Sequence, residues 1–440
     1  MSVTVTVGCQ WGDEGKGRVV DALAASADVV VRFAGGSNAG HTVVAEGKTV
    51  KLHLAPSGIL RPKAYSLIGD GVVVNPGILC KELDQIEAAG FSTTNLRIAG
   101  GAHVVLPWHI RIDGLEEERK GKGGIGTTKQ GIGPAYADRA FRTSMRVFDW
   151  TSEARFLAKL DELLPLKNKQ IEAVYGGQPF TRDELADELL PFIQRLRPYI
   201  VDGVAFLTDQ LAKGQRVLME GAQGLMRDLD HGVFPYVTSS HAVAGGACLG
   251  TGVGPMGISR VVGVVKAYPS AVGVSIFPTE LKDETGQYIR DKGVEYGTTT
   301  GRARDVGWPD LAVLRTAARV NSLTDVAVTK LDTLAGLDTL KVCTHYEVDG
   351  QRWNIFPGDP EVAAKAVPVY IELPGWGEEI SDARKPEELP KATVEFLKLV
   401  AEATGARIAM ASVGPERAQM VFDETSPRGV LESLLQEGAG

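Results

Sequence analysis

The chain has 440 residues, 44% of them hydrophobic, which is enough to bury a large core, and its formal net charge is -8. This acidic balance argues against a broad surface for nucleic acid or an anionic membrane, because such surfaces work through clusters of Lys and Arg that release counterions. The four cysteines lie far apart without histidine neighbours, which argues against a zinc centre or a disulfide framework.

The N-terminal residues bear on location. They alternate Val and Thr, with no basic segment followed by an apolar stretch, and no apolar run in the chain is long enough to cross a bilayer. Together with the isolated cysteines, this predicts a cytoplasmic protein that binds no membrane.

Six short β-branched segments, taken in chain order, each end in a glycine-rich or polar turn. These predicted strands are residues 3–7, 28–33, 216–219, 261–265, 326–329 and 407–411. Helical periodicity is clearest at 19–25, 183–196 and 310–320. The alternation predicts an α/β fold with a P-loop-NTPase-like, mainly parallel central sheet flanked by helices. Ligands collect at the carboxyl ends of the strands in such a sheet.

The middle of the chain is less regular. A basic, glycine-rich stretch at 119–133 is followed by charged helical segments after Trp150. We therefore expect one large α/β domain over 1–440 that carries a mainly helical inserted subdomain at approximately 101–200. No internal repeat is visible, so a solenoid is not expected.

The loop after the first strand reads QWGDEGKG at residues 10–17. Its glycines let backbone N–H groups approach phosphate oxygens, and Lys16 can reach a phosphate at the N-terminus of the next helix. The loop is not a strict Walker A sequence, which would have Gly in place of Gln10 and Ser or Thr in place of Gly17. Asp13 is the candidate to replace that magnesium-binding hydroxyl. The alternative is a glycine turn with a solvated Asp-Glu-Lys cluster.

A second glycine-rich loop, GGSNAGHT at residues 35–42, follows the second predicted strand. A histidine there can donate to an oxyanion or protonate a leaving group, and its ordinary pKa suits that role. The alternative for His41 is a solvated surface side chain.

Read together, the two loops resemble the adenylosuccinate synthetase family. Further matching segments run almost end to end: HLAPSGIL (53–60), IGTT (125–128), GIGPAY (131–136), EGAQG (220–224), YVTSS (236–240), FPTEL (277–281) and TTGR (299–302). The resemblance implies a ligase that uses GTP and Mg²⁺ to join IMP and L-aspartate into adenylosuccinate in purine biosynthesis.

The resemblance also implies two chemical steps and a set of catalytic residues. Asp13 would remove the N1 proton of IMP so that O6 attacks the γ-phosphate of GTP, and the amino group of aspartate would then displace phosphate from 6-phosphoryl-IMP. His41 would be the acid or electrophilic partner that stabilises charge on the transferred phosphoryl group, and Gln223 would bind O6 of the purine. Lys16, which can reach a phosphate, completes the catalytic set. The Asp13 carboxylate and the Gly40 carbonyl would be the protein ligands of Mg²⁺.

Substrate contacts follow from the same matching positions. For IMP they are Asp13, Lys16, Asn38, His41, Thr128, Gln223, Thr238 and Arg302, with Arg142 supplied by the second subunit of a homodimer. For GTP they are Gly12, Glu14, Gly15, Lys16, Gly17, Gly40, Thr42, Arg304, Lys330, Asp332, Ser412 and Gly414. For aspartate they are Thr298, Thr299, Thr300 and Arg302. Without the resemblance, Arg142 would be interpreted as a solvated arginine.

The segment TKLD at 329–332 supports GTP independently of the whole-chain match, because it is similar to the NKxD pattern of guanine-specific proteins. A carboxylate accepts from N1–H and the 2-amino group of guanine, and adenine offers no such pair of donors. Asp332 therefore favours GTP over ATP. The alternative is a surface Lys-Asp pair after a strand.

Two positions depart from the usual family pattern. Residues 302–305 read RARD where the family has further arginines, and Lys129-Gln130 stand where it commonly has Gly-Arg. Arginines in both regions are associated with the dicarboxylate substrate, and neither Ala nor Gln replaces a bidentate guanidinium. A different amine donor or purine nucleotide is therefore an open alternative, with a non-catalytic GTP-binding regulatory protein as a third.

Overall fold

The computed structural model describes residues 2–38, 40–45, 48–121, 126–296, 303–377, 380–416 and 419–422, with the backbone alone at 41–45, 49 and 422. In those residues the helices are α1 (Lys16–Ala24), α2 (Pro76–Ala88), α3 (Pro107–Lys120), α4 (Ile132–Phe141), α5 (Glu153–Tyr175), α6 (Arg182–Leu196), α7 (Gly203–Ala212), α8 (Ala244–Thr251), α9 (Glu284–Lys292), α10 (Leu311–Asn321), α11 (Pro360–Ala364) and α12 (Lys391–Thr404).

The strands of the same residues are β1 (Ser2–Gly8), β2 (Val29–Arg32), β3 (His41–Ala45), β4 (Lys48–Leu52), β5 (Tyr65–Ile68), β6 (Val73–Val74), β7 (Leu96–Ala99), β8 (His103–Val104), β9 (Ile200–Val201), β10 (Arg216–Glu220), β11 (Arg260–Lys266), β12 (Ser270–Ala271), β13 (Asp305–Val306), β14 (Asp325–Thr329), β15 (Thr339–Val348), β16 (Gln351–Trp353), β17 (Val367–Pro374), β18 (Arg407–Ser412) and β19 (Met420–Phe422).

The chain divides into two compact units. The first unit comprises Met1–Val5, Val20–Ala222 and Thr238–Ser259, and the second comprises Thr6–Val19, Gln223–Val237 and Arg260–Gly440. In the first unit, parallel strands run in the order β10-β2-β5-β7-β9. A core cluster of this unit includes the fully buried Trp108 and Trp150, which pack among apolar side chains of α2, α3, α5 and α6.

The second unit has its own parallel run, β11-β14-β18, with β19 antiparallel at its edge. A three-stranded antiparallel sheet, β16-β15-β17, follows in the same unit. All five residues of β14 are buried, as expected for a parallel strand covered on both faces. The predicted mainly parallel central sheet flanked by helices is confirmed.

Local capping explains several helix boundaries. The Asp310 carboxylate accepts from the backbone N–H groups of Ala312 and Val313 and so starts α10. Thr181 and Glu184 form a reciprocal capping box at the start of α6. Helices α3 to α6 fall largely between residues 101 and 200. That this stretch is an inserted subdomain of one large domain stays a prediction.

The predicted elements agree with the observed ones to within a few residues. Each of the six predicted strands lies at an observed strand, and the three predicted helices correspond to α1, α6 and α10. Within the described residues, no helix combines the length and the apolar character needed to span a bilayer.

Candidate functional site

The loop between β1 and α1, residues 10–15, has an unusual backbone. Three of its residues have positive φ: Gly12 (94°), Asp13 (57°) and Gly15 (85°). Helix α1 begins directly after it, at Lys16. Positive φ beside right-handed residues turns successive N–H groups toward one point, and a helix N-terminus adds its dipole. This loop, called the phosphate loop below, therefore has the backbone of an anion site.

A carboxylate fills the interior of the phosphate loop. Glu14 is fully buried, and its Oε1 accepts from the N–H groups of Gln10 at 3.0 Å and Gly12 at 2.9 Å. The space around it belongs to glycine, since a Cβ on Gly8 would lie 2.5 Å from Glu14 Oε2 and one on Gly224 would lie 2.4 Å from Oε1. The Glu14 side chain thus shapes the loop from inside.

Lys16 and Asp13 have different surroundings. Lys16 is 4% exposed, and its Nζ lies 2.5 Å from Glu14 Oε2. The Asp13 side chain is 46% exposed, and its Oδ2 lies 3.3 Å from Arg304 Nε. Arg304 Nε has no hydrogen-bond partner among the described residues, so this approach is an ion pair and not a hydrogen bond. A half-exposed carboxylate on an anion-binding loop can act as a base or bind a cation.

Neighbouring segments of the second unit hold the phosphate loop. Gln223 has φ 62°, and a Cβ on Gly12 would lie 3.6 Å from its Oε1, so the predicted O6-binding amide adjoins the loop. The Thr329 hydroxyl, at the end of β14, donates to the Glu14 carbonyl at 2.6 Å. The TKLD segment therefore contacts the phosphate loop through its threonine.

The predicted guanine-binding residues follow β14 and β18. Lys330 has φ 63°, and its Nζ donates to the Gly293 carbonyl at 2.7 Å. Burial lowers the pKa of Lys330, which the nearby carboxylates of Glu295 and Asp332 partly oppose. The buried Ser412 hydroxyl donates to the Gly414 carbonyl at 3.2 Å.

Arg18 connects the segment after β18 to the helix that follows the phosphate loop. It lies on α1, two residues after Lys16, and its guanidinium donates to the carbonyls of Gly414 and Glu416. Its pKa is lowered by burial, with an opposing contribution from the Asp332 carboxylate. Parallel strands β14 and β18 place Asp332 and Gly414 at neighbouring strand ends, which the sequence prediction anticipated.

The glycine-rich loop at 35–40 belongs to the first unit. Arg32, 1% exposed, donates to the Gly36 carbonyl at 2.9 Å and to the His53 carbonyl. The Tyr136 hydroxyl accepts from the Gly35 N–H at 2.9 Å and donates to the Gly71 carbonyl at 2.7 Å. The loop is therefore fixed at its start by one arginine and one tyrosine.

Two predicted ligand groups lie further along this loop. The side-chain Oδ1 of Asn38 is buried and has no hydrogen-bond partner among the residues that the structure describes. A buried polar oxygen without a partner is costly, so this atom is suited to receive a ligand donor. Gly40 is exposed and lies close to the His53 ring. His41 and Thr42 begin β3, and their side chains lie outside the described part of the structure.

The remaining predicted positions of the first unit lie on loops and helix ends. Thr128 is exposed and Thr238 is half-buried. Arg142 is exposed and ends α4 in a left-handed conformation, with φ 66°. Thr298, Thr299, Thr300 and Arg302 lie outside the described residues.

The departures from the family pattern have structural correlates. Lys129 has φ 53°, a left-handed conformation that favours the glycine usual in the family. The Ser37 hydroxyl lies 3.5 Å from Gln130 Oε1, a long hydrogen bond to the glycine-rich loop. Asp305 pairs with Ala271 between the short strands β13 and β12 and is exposed.

The sequence did not reveal the supporting residues Arg18, Arg32, Glu295 and Lys266. Each acts through a partner distant in sequence, such as Glu295 with Lys266 29 residues earlier. The one available signal was an isolated charge within or beside an apolar strand, as at Arg32 and Lys266, since such a charge needs a buried partner.

Comparisons with known proteins identify the family of this chain. The family model described as adenylosuccinate synthetase matches residues 5–421. The adenylosuccinate synthetase of Carboxydothermus hydrogenoformans is 50% identical over 422 residues, covering 96% of this chain and 99% of that protein. The one from Trichodesmium erythraeum is 48% identical over 435 residues, covering 99% and 100%.

Solved structures give the same result. The fully ligated adenylosuccinate synthetase from Plasmodium falciparum has a TM-score of 0.91 and is 35% identical, covering 96% of this chain and 100% of that one. The succinoaminodeoxyadenylate synthetase of cyanophage S-2L, bound to dGMP and dATP as an energy donor, has a TM-score of 0.60 and 19% identity over 99% of each chain. The latter likeness concerns the fold alone.

Proposed function

We propose a division of work among named residues, on the premise that this chain belongs to the adenylosuccinate synthetase family. The enzyme is a GTP-dependent ligase of purine nucleotide biosynthesis that joins IMP to L-aspartate. The observation that carries the assignment is the half-exposed Asp13 carboxylate, set at positive φ in an anion-binding loop and paired with Arg304.

In the first chemical step, Asp13 takes the N1 proton of IMP, and the electron pair moves toward O6, which attacks the γ-phosphorus of GTP. GDP leaves and 6-phosphoryl-IMP forms. Gln223, beside Gly12, donates to O6, and His41 stabilises charge on the transferred group together with Lys16. In the second step, the amino group of aspartate attacks C6 and phosphate leaves.

Magnesium fits the donor groups of this chain. The Asp13 carboxylate and the Gly40 carbonyl are hard oxygen ligands, and both residues are exposed at loops. When bound, Mg²⁺ would neutralise charge on the phosphate oxygens. Asp13 and Gly40 would then hold the ion, and Asp13 would still need one oxygen free for the N1 proton.

The proposed GTP contacts form two groups, one for the phosphates and one for guanine. The backbone of Gly12, Glu14, Gly15, Lys16 and Gly17 would bind phosphates, helped by Arg304, Gly40 and Thr42. Lys330, Asp332, Ser412 and Gly414 would bind guanine. The closeness of Asp332 to Arg18, which contacts the Gly414 carbonyl, supports grouping these residues.

The remaining contacts complete the substrates. Asn38, Thr128, Thr238 and Arg302 would bind IMP, and the buried unpartnered oxygen of Asn38 supports its part. Thr298, Thr299, Thr300 and Arg302 would bind aspartate. Arg142, exposed at the end of α4, would reach the IMP of a second subunit in a homodimer, in the cytoplasm.

Product analysis by mass spectrometry tests the reaction. The purified protein is incubated with IMP, L-aspartate, GTP and Mg²⁺, beside mixtures that lack one component, replace GTP by ATP or contain EDTA. Adenylosuccinate formed only in the complete GTP mixture is the expected result. IMP-dependent phosphate release without adenylosuccinate would contradict the assignment of aspartate as donor.

Mixed subunits test the role of Arg142. Arg142→Ala and Asp13→Ala proteins, each expected to be inactive alone, are mixed and allowed to exchange subunits. About a quarter of the native activity should return, because half of the randomly formed dimers contain one intact site. No recovery despite proven exchange would contradict the shared site.

A further inference from the structure

A buried ionic cluster lies beside the phosphate loop in the second unit. Lys266 and Glu295 are each 1% exposed, and Lys266 Nζ lies 2.9 Å from Glu295 Oε1. Arg304 Nη1 donates to Glu295 Oε2 at 2.9 Å, and Arg304 Nε lies 3.3 Å from Asp13 Oδ2. Two cations and two carboxylates therefore alternate along one chain of contacts that ends at the proposed catalytic base.

Glu295 is the centre of this cluster. The Tyr268 hydroxyl also donates to its Oε1, at 2.7 Å, so both carboxylate oxygens have charged or polar donors. Burial alone would raise the pKa of Glu295, but Lys266, Arg304 and Tyr268 outweigh it and lower the pKa to about 2. Glu295 is thus ionised at neutral pH, although almost no water reaches it.

The contacts close into a ring through the phosphate loop itself. Gln10, at the start of that loop, accepts from the Lys266 N–H at 2.9 Å and donates to the Lys266 carbonyl at 3.1 Å. From Gln10 the ring runs through Lys266, Glu295 and Arg304 to Asp13, three residues after Gln10. Because the ring meets the phosphate loop at both Gln10 and Asp13, it holds Arg304 at a fixed distance from that loop.

The backbone before Glu295 is strained in a way that directs this side chain inward. Val294 has φ 53° and is 70% exposed. A β-branched residue in this left-handed region is an outlier and persists only where surrounding contacts require it. The Glu295 N–H donates to the Arg290 carbonyl at 2.8 Å at the end of α9, so the turn at Val294 leads directly into the cluster.

We propose that Glu295 is a positioning residue, whose carboxylate holds the Arg304 guanidinium against Asp13 of the phosphate loop. The proposal rests on the function proposed above, in which Asp13 is the base and Arg304 contacts GTP. With Arg304 held by Glu295, the Asp13 carboxylate keeps a cation beside it, and the phosphates of GTP meet a guanidinium whose direction is already set.

Glu295→Gln tests the proposal because it keeps the shape and removes the charge. A Gln amide offers one acceptor and an NH₂ donor that would face either Lys266 or Arg304, both of which donate. We expect kcat to fall at least about tenfold, with the KM for IMP changed less than about twofold. Glu284→Gln, an exposed acid at the start of α9, is the matched control and should leave both values unchanged.

A double-mutant cycle asks whether Glu295 acts through Arg304. If it does, adding Glu295→Gln to Arg304→Gln should change kcat by less than about twofold, because the guanidinium to be positioned is already gone. The same fold loss in both backgrounds, or a native kcat for Glu295→Gln alone, would overturn the proposal.

A second pair of variants separates positioning from stability. Glu295→Gln leaves the Lys266 ammonium buried without its partner, which lowers Tm. Adding Lys266→Met removes that ammonium, so Tm should recover while kcat stays low. Recovery of kcat in parallel with Tm would show a purely structural role for Glu295 and overturn the proposal. The double variant separates the two roles even where Glu295→Gln alone folds poorly.

The wild-type enzyme distinguishes a failure of the positioning role of Glu295 from a failure of the proposed function. Adenylosuccinate from the wild type together with a native kcat for Glu295→Gln would sink the positioning role alone. Absence of adenylosuccinate from the wild type would sink the proposed function, and the positioning role would then be decided by calorimetry with guanylyl imidodiphosphate and Mg²⁺. Glu295→Gln should weaken that binding about fivefold relative to wild type and Glu284→Gln, and equal binding would overturn it.

Discussion

Two buried glutamates, one in each unit, illustrate different ways of keeping a carboxylate inside a protein. In the first unit, Glu82 accepts three backbone N–H groups, from His53, Leu54 and Ala55, at 2.8 to 3.2 Å. Burial raises the pKa of Glu82 because these neutral donors and the charge of Arg32 compensate only partly for lost hydration. In the second unit, Glu295 has two cations in direct contact and a pKa lowered to about 2.

The difference separates two uses of buried charge. Neutral backbone donors around Glu82 organise the segment that follows β4, and the carboxylate there serves chiefly as an acceptor for the fold. Direct ion pairs around Glu295 lead to Asp13 and the phosphate loop. Substitutions in the two regions should therefore separate activity from stability.

The largest expected effect is the loss of activity in Asp13→Ala. Removing a general base costs about 10²- to 10⁴-fold in rate, and loss of a magnesium ligand adds to it, so kcat should fall at least about 10³-fold. The half-exposed Asp13 contributes little to the fold, because its ion pair with Arg304 is partly solvated. Steady-state kinetics and thermal unfolding of the same preparation measure both; a kcat within tenfold of wild type would remove Asp13 as the base.

Glu82→Ala should show the opposite pattern. It leaves three backbone N–H groups without their acceptor and removes the negative charge near Arg32, so the free energy of unfolding should fall by about 3 kcal/mol. Below the unfolding transition, kcat should stay within about fivefold of wild type. Urea denaturation measures the loss, with Glu82→Gln, which keeps one acceptor oxygen, as an intermediate control; an unchanged urea midpoint for Glu82→Ala would contradict the interpretation.

The two glutamates should also give opposite pH dependences. The pKa of Glu295 is lowered from 4.5 to about 2, so its contribution to stability is present above pH 4.5 and is lost as the pH falls from 4.5 toward 2. That loss is of the order of 3 kcal/mol for wild type and absent from Glu295→Gln. The raised pKa of Glu82 reverses the sign: its contribution is present below pH 4.5 and is lost as the pH rises through the folded-state pKa.

Urea midpoints of wild type, Glu295→Gln and Glu82→Gln between pH 3 and 6 measure these slopes. Relative to wild type, Glu295→Gln should lose less stability on acidification and Glu82→Gln should lose more. Parallel curves for all three proteins would show that neither carboxylate has the shifted pKa described here.

The smallest expected effect concerns Lys129. Its φ of 53° costs a residue with a side chain more than it costs glycine, so Lys129→Gly should raise the free energy of unfolding by less than about 1 kcal/mol. The KM for aspartate measures whether the lysine also contacts the dicarboxylate. A stabilised variant with native KM would assign Lys129 no part in binding, whereas an increased KM would make it the cation that replaces the usual arginine.

The fold could be predicted from sequence because its signals are local. Buried β-branched runs such as 325–329 and capped amphipathic helices such as α10 are specified within about a dozen residues. The positions of the phosphate loop and of the TKLD segment at strand ends followed from the same patterns. Glycine at 12 and 15 signalled the loop backbone correctly.

The supporting contacts could not be predicted, because they join residues distant in sequence. Nothing near Glu14 indicates that its carboxylate fills the loop instead of facing solvent, since the glycines that make room for it include Gly224. The Thr329 hydroxyl reaches the Glu14 carbonyl from 315 residues away. The sequence motifs predict which loops bind the substrates, while tertiary packing decides which side chain in each loop faces inward.

Arg18 has a consequence for engineering nucleotide preference. Helix α1 begins at Lys16, which is proposed to bind phosphate. Two positions later, Arg18 donates to the carbonyls of Gly414 and Glu416, in the loop proposed to bind guanine. A redesign toward adenine that altered Asp332 alone would leave the Arg18 hydrogen bonds in place, and the loop around Gly414 would keep the conformation proposed to bind guanine. Selection for ATP use should therefore enrich paired changes at Asp332 and in the Arg18 contact, not single ones.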